Sequence, residues 1–430
     1  MVDLPDGRAK TLRDAFRLCD VGPLESDEAI ARYYVDLSTV RSSVAIRSIK
    51  TKLDFSAPGQ FDSLLFTGHR GCGKSTELQR LKKEWDKPYR VIYVETDNEI
   101  DSQDADYTDL YLVIIKQVAD DLAKLRLGFD PALLTAFEDW FKDVTNETEE
   151  SVEKSISLTT TAEGGIEIPF ISKLAAKLLA QIKGSNVQKR KIRDTLRQDI
   201  GRLKGDMNRL LQNAFEQVQQ AGYEKGYLII FDNLDRVPTE VGDRLYFDYA
   251  TQLRDLNCTL IYTVPISVVY SDKNLSNAFG TPNVMPMVSI YQFDTLGALH
   301  LEHNLDAIKK LARLIITRVD HKTVFANDRL VAELVKASGG HARQLMQMTA
   351  TACLTAASNG HAQVEAADVK SAIQQERINF KRVIPHRHYP LLVATCKTKQ
   401  IIQNEDGQKM LFNTSVLEYE SDDHSWHYVN

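Results

Sequence analysis

No stretch of this 430-residue sequence approaches eighteen uncharged apolar residues, which argues against a membrane-spanning helix. Paired cysteines are also missing. Cys19, Cys72, Cys258, Cys353 and Cys396 lie far apart and form no CxxC, so neither a disulfide framework nor a zinc site is indicated. The first sixteen residues, MVDLPDGRAKTLRDAF, have no apolar core of the secretory kind. Together these absences lead us to expect a cytoplasmic protein. The formal net charge is only −6, so there is no global drive toward nucleic acid or anionic membrane. HExxH, GxSxG and clustered nuclease-like carboxylates are absent as well, which leaves no second catalytic constellation in view.

What is present is an alternation of strands and helices, which predicts a parallel α/β sheet. Short apolar runs at Ser63–Thr67, Val91–Asp97, Tyr227–Asp232, Cys258–Val264 and Val288–Phe293 read as five buried strands. A long excursion separates the second from the third. It holds an amphipathic helix at Asp109–Leu125, an acidic stretch at Glu138–Glu153 and a hairpin pattern around Gly164-Gly165. So long an insertion is usually functional or partner-binding. The predicted organisation is an N-terminal linker at 1–53, a core at 54–298 with an insertion at about 100–225 (hairpin at 155–170), a helical region at 299–383 and a mixed tail at 384–430.

Gly68-His69-Arg70-Gly71-Cys72-Gly73-Lys74-Ser75 matches GxxxxGK[ST] at every fixed position, with Thr76 following. Glycines let successive backbone N–H groups face phosphate oxygens, and the helix that begins here adds its positive end. In this pattern Lys74 reaches the β- and γ-phosphates of ATP and Ser75 ligates Mg²⁺. A strand before the motif and a helix after it supply the required context. The competing view, a chance glycine-rich turn, lacks that support. YLIIFDNLDR sets Asp232 at the end of a buried strand, where a carboxylate holds Mg²⁺, and Asp235 where it would orient or deprotonate the attacking water. The alternative for either aspartate is a turn cap. Thr263 ends the fourth strand, either as a γ-phosphate contact or as an ordinary strand-end threonine. Arg343 follows Gly339-Gly340 at a helix start and is either a phosphate ligand or a solvated surface arginine.

FTGHRGCGKSTEL, YLIIFDNLDR, IYTVP and SGGHARQL together resemble the AAA+/STAND division of P-loop ATPases, near its origin-recognition and bacterial signalling members. The resemblance implies a five-stranded parallel sheet, with the Thr263 strand between the P-loop strand and the Asp232 strand. It also implies a helical lid, a winged-helix-like tail whose wing is LFNTSVLEY with WHYVN, and sensor roles for Thr263 and Arg343. Two departures matter. Asn233 stands where many AAA+ proteins carry a catalytic glutamate. No arginine occurs from Lys273 through Lys310, where an arginine finger is expected. A slow regulatory switch is therefore expected rather than a ring motor. Bacterial signalling or anti-phage defence with a separate protein effector leads, and a DNA-binding initiator or loader is the alternative. A homo-oligomer is compatible with both.

Between Lys183 and Arg209 nine cations face only Asp194, Asp199 and Asp206. This segment and the tail are the two candidate nucleic-acid contacts. Aromatic interleaving is sparse, so the segment reads equally as a solvated helix face or as a partner for Glu138–Glu153.

Overall fold

The computed structural model describes residues 7–19, 22–135, 169–293, 299–421 and 424–430. The acidic stretch and nearly all of the 155–170 hairpin pattern lie outside the described residues.

The chain opens with α1 (Leu12–Leu18), α2 (Asp27–Tyr33) and α3 (Val44–Phe55). Next come β1 (Ser63–Thr67), α4 (Lys74–Trp85), β2 (Arg90–Glu95), α5 (Thr96–Glu99) and α6 (Tyr107–Lys124). Helices α7 (Phe170–Gly184), α8 (Asn186–Gln198) and α9 (Ile200–Gln220) lead to β3 (Tyr227–Asp232), β4 (Thr259–Val264) and β5 (Asn283–Val284). The sheet is parallel, in the order β2-β3-β4-β1-β5. The β4 strand thus lies between β1 and β3, as the resemblance implied.

The fifth strand differs from expectation. It is Asn283–Val284, paired with Phe66 and Thr67, not Val288–Phe293. Pro286 has no N–H to donate and stops the ladder. Residues beyond it leave the sheet, where the Ser289 N–H reaches Val40 O and Tyr291 bridges His303.

Strand side chains alternate between two faces. Ile92, Val94, Ile229, Phe231, Leu260 and Tyr262 face one core, which α6, α7 and α9 complete. The described part of the insertion is therefore a layer of the fold, which explains its length. Many of its basic residues are used inside the chain. Lys189 and Arg193 pair with Asp104 at 3.2 and 3.0 Å, Arg193 also with Asp109, and Arg197 with Asp106. Lys204 pairs with Asp255 at 3.2 Å, and Arg209 with Asp206. The partners of Lys189, Arg193 and Arg197 lie between α5 and α6 and at the start of α6; Glu138–Glu153, the partner considered from the sequence, lies outside the described residues.

The opposite face (Leu64, Phe66, Val91, Leu228, Ile230, Ile261) packs on α3 and α4. Four longer helices follow: α10 (Leu305–Ile316), α11 (Asp328–Ala337), α12 (Ala342–Ser358) and α13 (Ala366–Val383). Their core takes in Ala9, Ala15, Cys19, Val35 and Leu37. The stretch read as a linker is thus partly a piece of this lid, tied by the Ala9 N–H to Arg318 O at 2.7 Å. The tail comprises α14 (Tyr389–Thr398), α15 (Glu405–Phe412) and an antiparallel hairpin of β6 (Val416–Ser421) and β7 (His424–Val429). Leu417, Tyr419, Trp426 and Tyr428 of the hairpin enter the same core as α3, α4 and β1. No helix among the described residues is long and apolar enough to cross a membrane.

Candidate functional site

The glycine-rich loop joins the C-terminal end of β1 to α4, and Gly73 caps that helix at φ 103°. Lys74 turns back over the loop. Its Nζ donates to Gly68 O at 2.7 Å and His69 O at 2.9 Å, and lies 2.8 Å from Asp235 Oδ2. Lys74 and Asp235 side chains are only 4% and 7% exposed. Burial pulls the ammonium's pKa down, but Asp235, Cys72 and Asp232 outweigh it and raise the pKa overall. Lys74 therefore stays charged.

Asp232 ends β3 beside Lys74. Its Oδ2 accepts the Tyr93 hydroxyl at 2.5 Å, and its Oδ1 accepts the Asn233 N–H at 2.8 Å. Thr263 lies beneath this turn. Its hydroxyl donates to Phe231 O at 3.0 Å and accepts the N–H groups of Leu234 and Asp235 at 2.9 and 3.3 Å. It is fully buried and is not among the residues that line the cavity, and its bonds brace the turn that carries Asp235.

Arg343 does line the cavity, from the first turn of α12. Its backbone N–H donates to Gly71 O at 3.3 Å, which joins lid to loop. Glycine is required at this junction. A Cβ on Gly71 would sit 2.3 Å from His341 Cε1, and one on Gly340 2.1 Å from Val288 O. His341 caps α12, its Nδ1 accepting the Gln344 N–H at 3.3 Å. Burial, then Arg343, pushes its pKa down to about 3.

The cavity measures about 380 Å³. Arg70, Gly71, Cys72, Gly73, Lys74, Ser75 and Thr76 form one wall, and Asp232 and Asp235 form another. Arg70 stacks on Phe412 at 4.3 Å and donates to Arg236 O at 2.9 Å. Ser75 and Asp232 are hard oxygen donors on the same cavity, the set that suits Mg²⁺. The sequence reading missed three groups. Tyr34 and Arg41 come from the N-terminal segment, and Arg41 donates to Cys72 O at 2.7 Å. Glu95 and Tyr93 come from β2. The third is the tail. His69, inside the loop and fully buried, accepts the Glu418 N–H on Nε2 at 2.7 Å, so its proton sits on Nδ1. Burial, then His341, Lys74 and His427, holds the His69 pKa well below its ordinary value. The strand at Val91–Asp97 and the LFNTSVLEY run were visible as patterns, but not their place at this site, and the His69 contact spans 349 residues.

No family model matches the chain, and no curated protein does. Among solved structures, the chain is similar to the ORC2 protein of Aeropyrum pernix, solved as ADPNP–ADP complexes: 12% identity, TM-score 0.38, covering 96% of this chain and 93% of that one. It is similar to the Aeropyrum pernix ORC1 protein in complex with DNA: 14% identity, TM-score 0.40, covering 98% and 94%. Cdc6p from Pyrobaculum aerophilum gives 10% identity and a TM-score of 0.36, covering 95% and 94%.

Proposed function

We propose that this chain binds ATP with Mg²⁺ at the Gly68–Thr76 loop, hydrolyses it slowly, and passes the state of the nucleotide to its tail. One observation carries the reading. Lys74, Asp232 and Asp235 converge on a cavity at the strand ends, beside a glycine-shaped loop. In this reading Lys74 exchanges Asp235 for phosphate oxygens, while Ser75 and Asp232 hold the metal. Mg²⁺ supplies charge neutralisation on the β- and γ-phosphates. Arg343 approaches the phosphates from the lid.

The switch part rests on the tail. The hairpin bonds the loop through Glu418 and His69, and bonds the lid through the Tyr419 hydroxyl to Gly339 O at 2.5 Å. A movement of loop or lid therefore reaches the tail directly. A separate protein effector that reads the tail completes this proposal.

A second reading, a DNA-binding ATPase of initiator or loader type, gains support from Lys381, Arg382 and Lys397, exposed where lid meets tail. Against it, α15 packs Met410 and Leu411 with Ile266 and starts with Glu405 and Asp406, and the cations of α8 and α9 are largely ion-paired.

ATP turnover of wild type and Lys74→Ala, with and without duplex DNA at rising salt, separates the readings. The switch predicts turnover indifferent to DNA and lost in Lys74→Ala. DNA-stimulated turnover with a steep salt dependence would transfer the assignment to the second reading.

A further inference from the structure

ATP hydrolysis at this site needs an acceptor for the proton of the attacking water. Asn233, next to Asp232, is an amide and cannot serve. Asp235 lies 2.8 Å from Lys74 and holds it until phosphate takes its place; it is the competing assignment that the test below separates. A third carboxylate lies on the neighbouring strand. The β2–β3 register sets Glu95 opposite Asp232, at the parallel-strand spacing of about 4.8 Å. Alternation along β2 puts Tyr93 and Glu95 on one face. The Tyr93 hydroxyl reaches Asp232 Oδ2 at 2.5 Å, so this is the face that carries the Asp232 carboxylate. Tyr93 also packs against the core that contains α4, whose N-terminus is the phosphate loop. Glu95 lines the same cavity as Lys74, Ser75, Asp232 and Asn233. Its Oε2 accepts from Asn98 Nδ2 at 2.7 Å, and no cation pairs with it among the described residues.

We propose that Glu95 is the general base of ATP hydrolysis, facing Asp232 across the β2–β3 pair, and that Asp235 is a positioning residue for Lys74. The assignment rests on the ATP-site reading above. In the step, Glu95 takes a proton from water while the water oxygen bonds to the γ-phosphorus. The bond from that phosphorus to the β–γ bridging oxygen breaks, and its electron pair leaves with ADP. Glu95 then returns its proton to solvent.

The test compares wild type, Glu95→Gln, Glu95→Ala, Asp235→Asn and Lys74→Ala by phosphate release and by equilibrium binding of a fluorescent ATP analogue with Mg²⁺. Glu95→Gln should hold nucleotide within about threefold of wild type and lose turnover by about a hundredfold or more. Added formate should restore part of the turnover of Glu95→Ala, which a structural role would not produce. Near-normal turnover in Glu95→Gln overturns the proposal. So does Asp235→Asn losing turnover with affinity intact while Glu95→Gln stays active. Wild type that binds nucleotide without turnover overturns it too, and leaves the binding site standing. Equal binding by wild type and Lys74→Ala instead defeats the site reading itself.

Discussion

Lys74 and Asp235 are both nearly excluded from water, and burying such a pair costs desolvation that their attraction only partly returns. In the proposed reading, a lysine parked on a carboxylate stays charged and oriented until phosphate replaces its partner. His341 illustrates a different restraint at the same junction. Its folded pKa of about 3 lies far below the ordinary value, because burial and Arg343 disfavour the imidazolium. The unfolded chain therefore takes up this proton first as pH falls. The stabilisation is complete above about pH 6.5 and is lost progressively toward pH 3. Other groups titrate in the same window, so the comparison is with His341→Asn, which keeps a helix cap. Between pH 7 and pH 5 the unfolding free energy of wild type should fall by about 2 kcal/mol relative to the variant. Urea unfolding at the two pH values measures it, and parallel changes in both proteins would contradict the burial argument. The placing of Lys74 and Asp232 on one cavity was legible in sequence, because each position follows from local spacing. The seat of Thr263 beneath the β3 turn was not, since its three hydrogen bonds reach residues on another strand and turn.

At the scale of elements, the hairpin shows most clearly where pattern reading stops. The resemblance implied it as a wing, LFNTSVLEY with WHYVN, and a two-stranded hairpin ordinarily keeps one wet face. Val416, Leu417, Glu418 and Tyr419 are instead all buried, because one side meets the phosphate loop and the other meets α14 and α15. Burial lifts the Glu418 carboxyl to about 7, partly opposed by a hydrogen bond from Tyr270. Trp426 stacks on Tyr419 with centroids 4.6 Å apart and is fully buried. Trp426→Ala should therefore cost about 3–5 kcal/mol in urea unfolding. A loss below about 1 kcal/mol would mean that the hairpin is an appendage. The fifth strand was misplaced for a similar reason. Val288–Phe293 has strand composition, but Pro286 and the pull of Val40 and His303 take it off the sheet edge.

The molecule as a whole brings the N-terminal segment, the glycine-rich loop, two strand ends and the lid around one cavity, and bonds the tail to the loop through His69. Sequence made the loop, the sheet order and the helical lid legible, through local motifs and their order along the chain. It could not reveal the convergence, because Arg41 with Cys72 and His69 with Glu418 are contacts between segments that carry no shared pattern. The insertion follows the same rule. Its charge read either as a nucleic-acid surface or as a helix face, solvated or paired within the chain, and folding spends much of it on Asp104, Asp106 and Asp109. The central claim is that nucleotide sits on the Gly68–Thr76 loop with Lys74 as its principal cation. Calorimetric titration of Mg-ATP into wild type and Lys74→Ala, each first shown to be folded by circular dichroism, tests it most directly. Saturable binding by wild type, weakened at least about a hundredfold in the variant (about 2.7 kcal/mol), is the predicted result. Equal affinity in the two proteins would contradict the account.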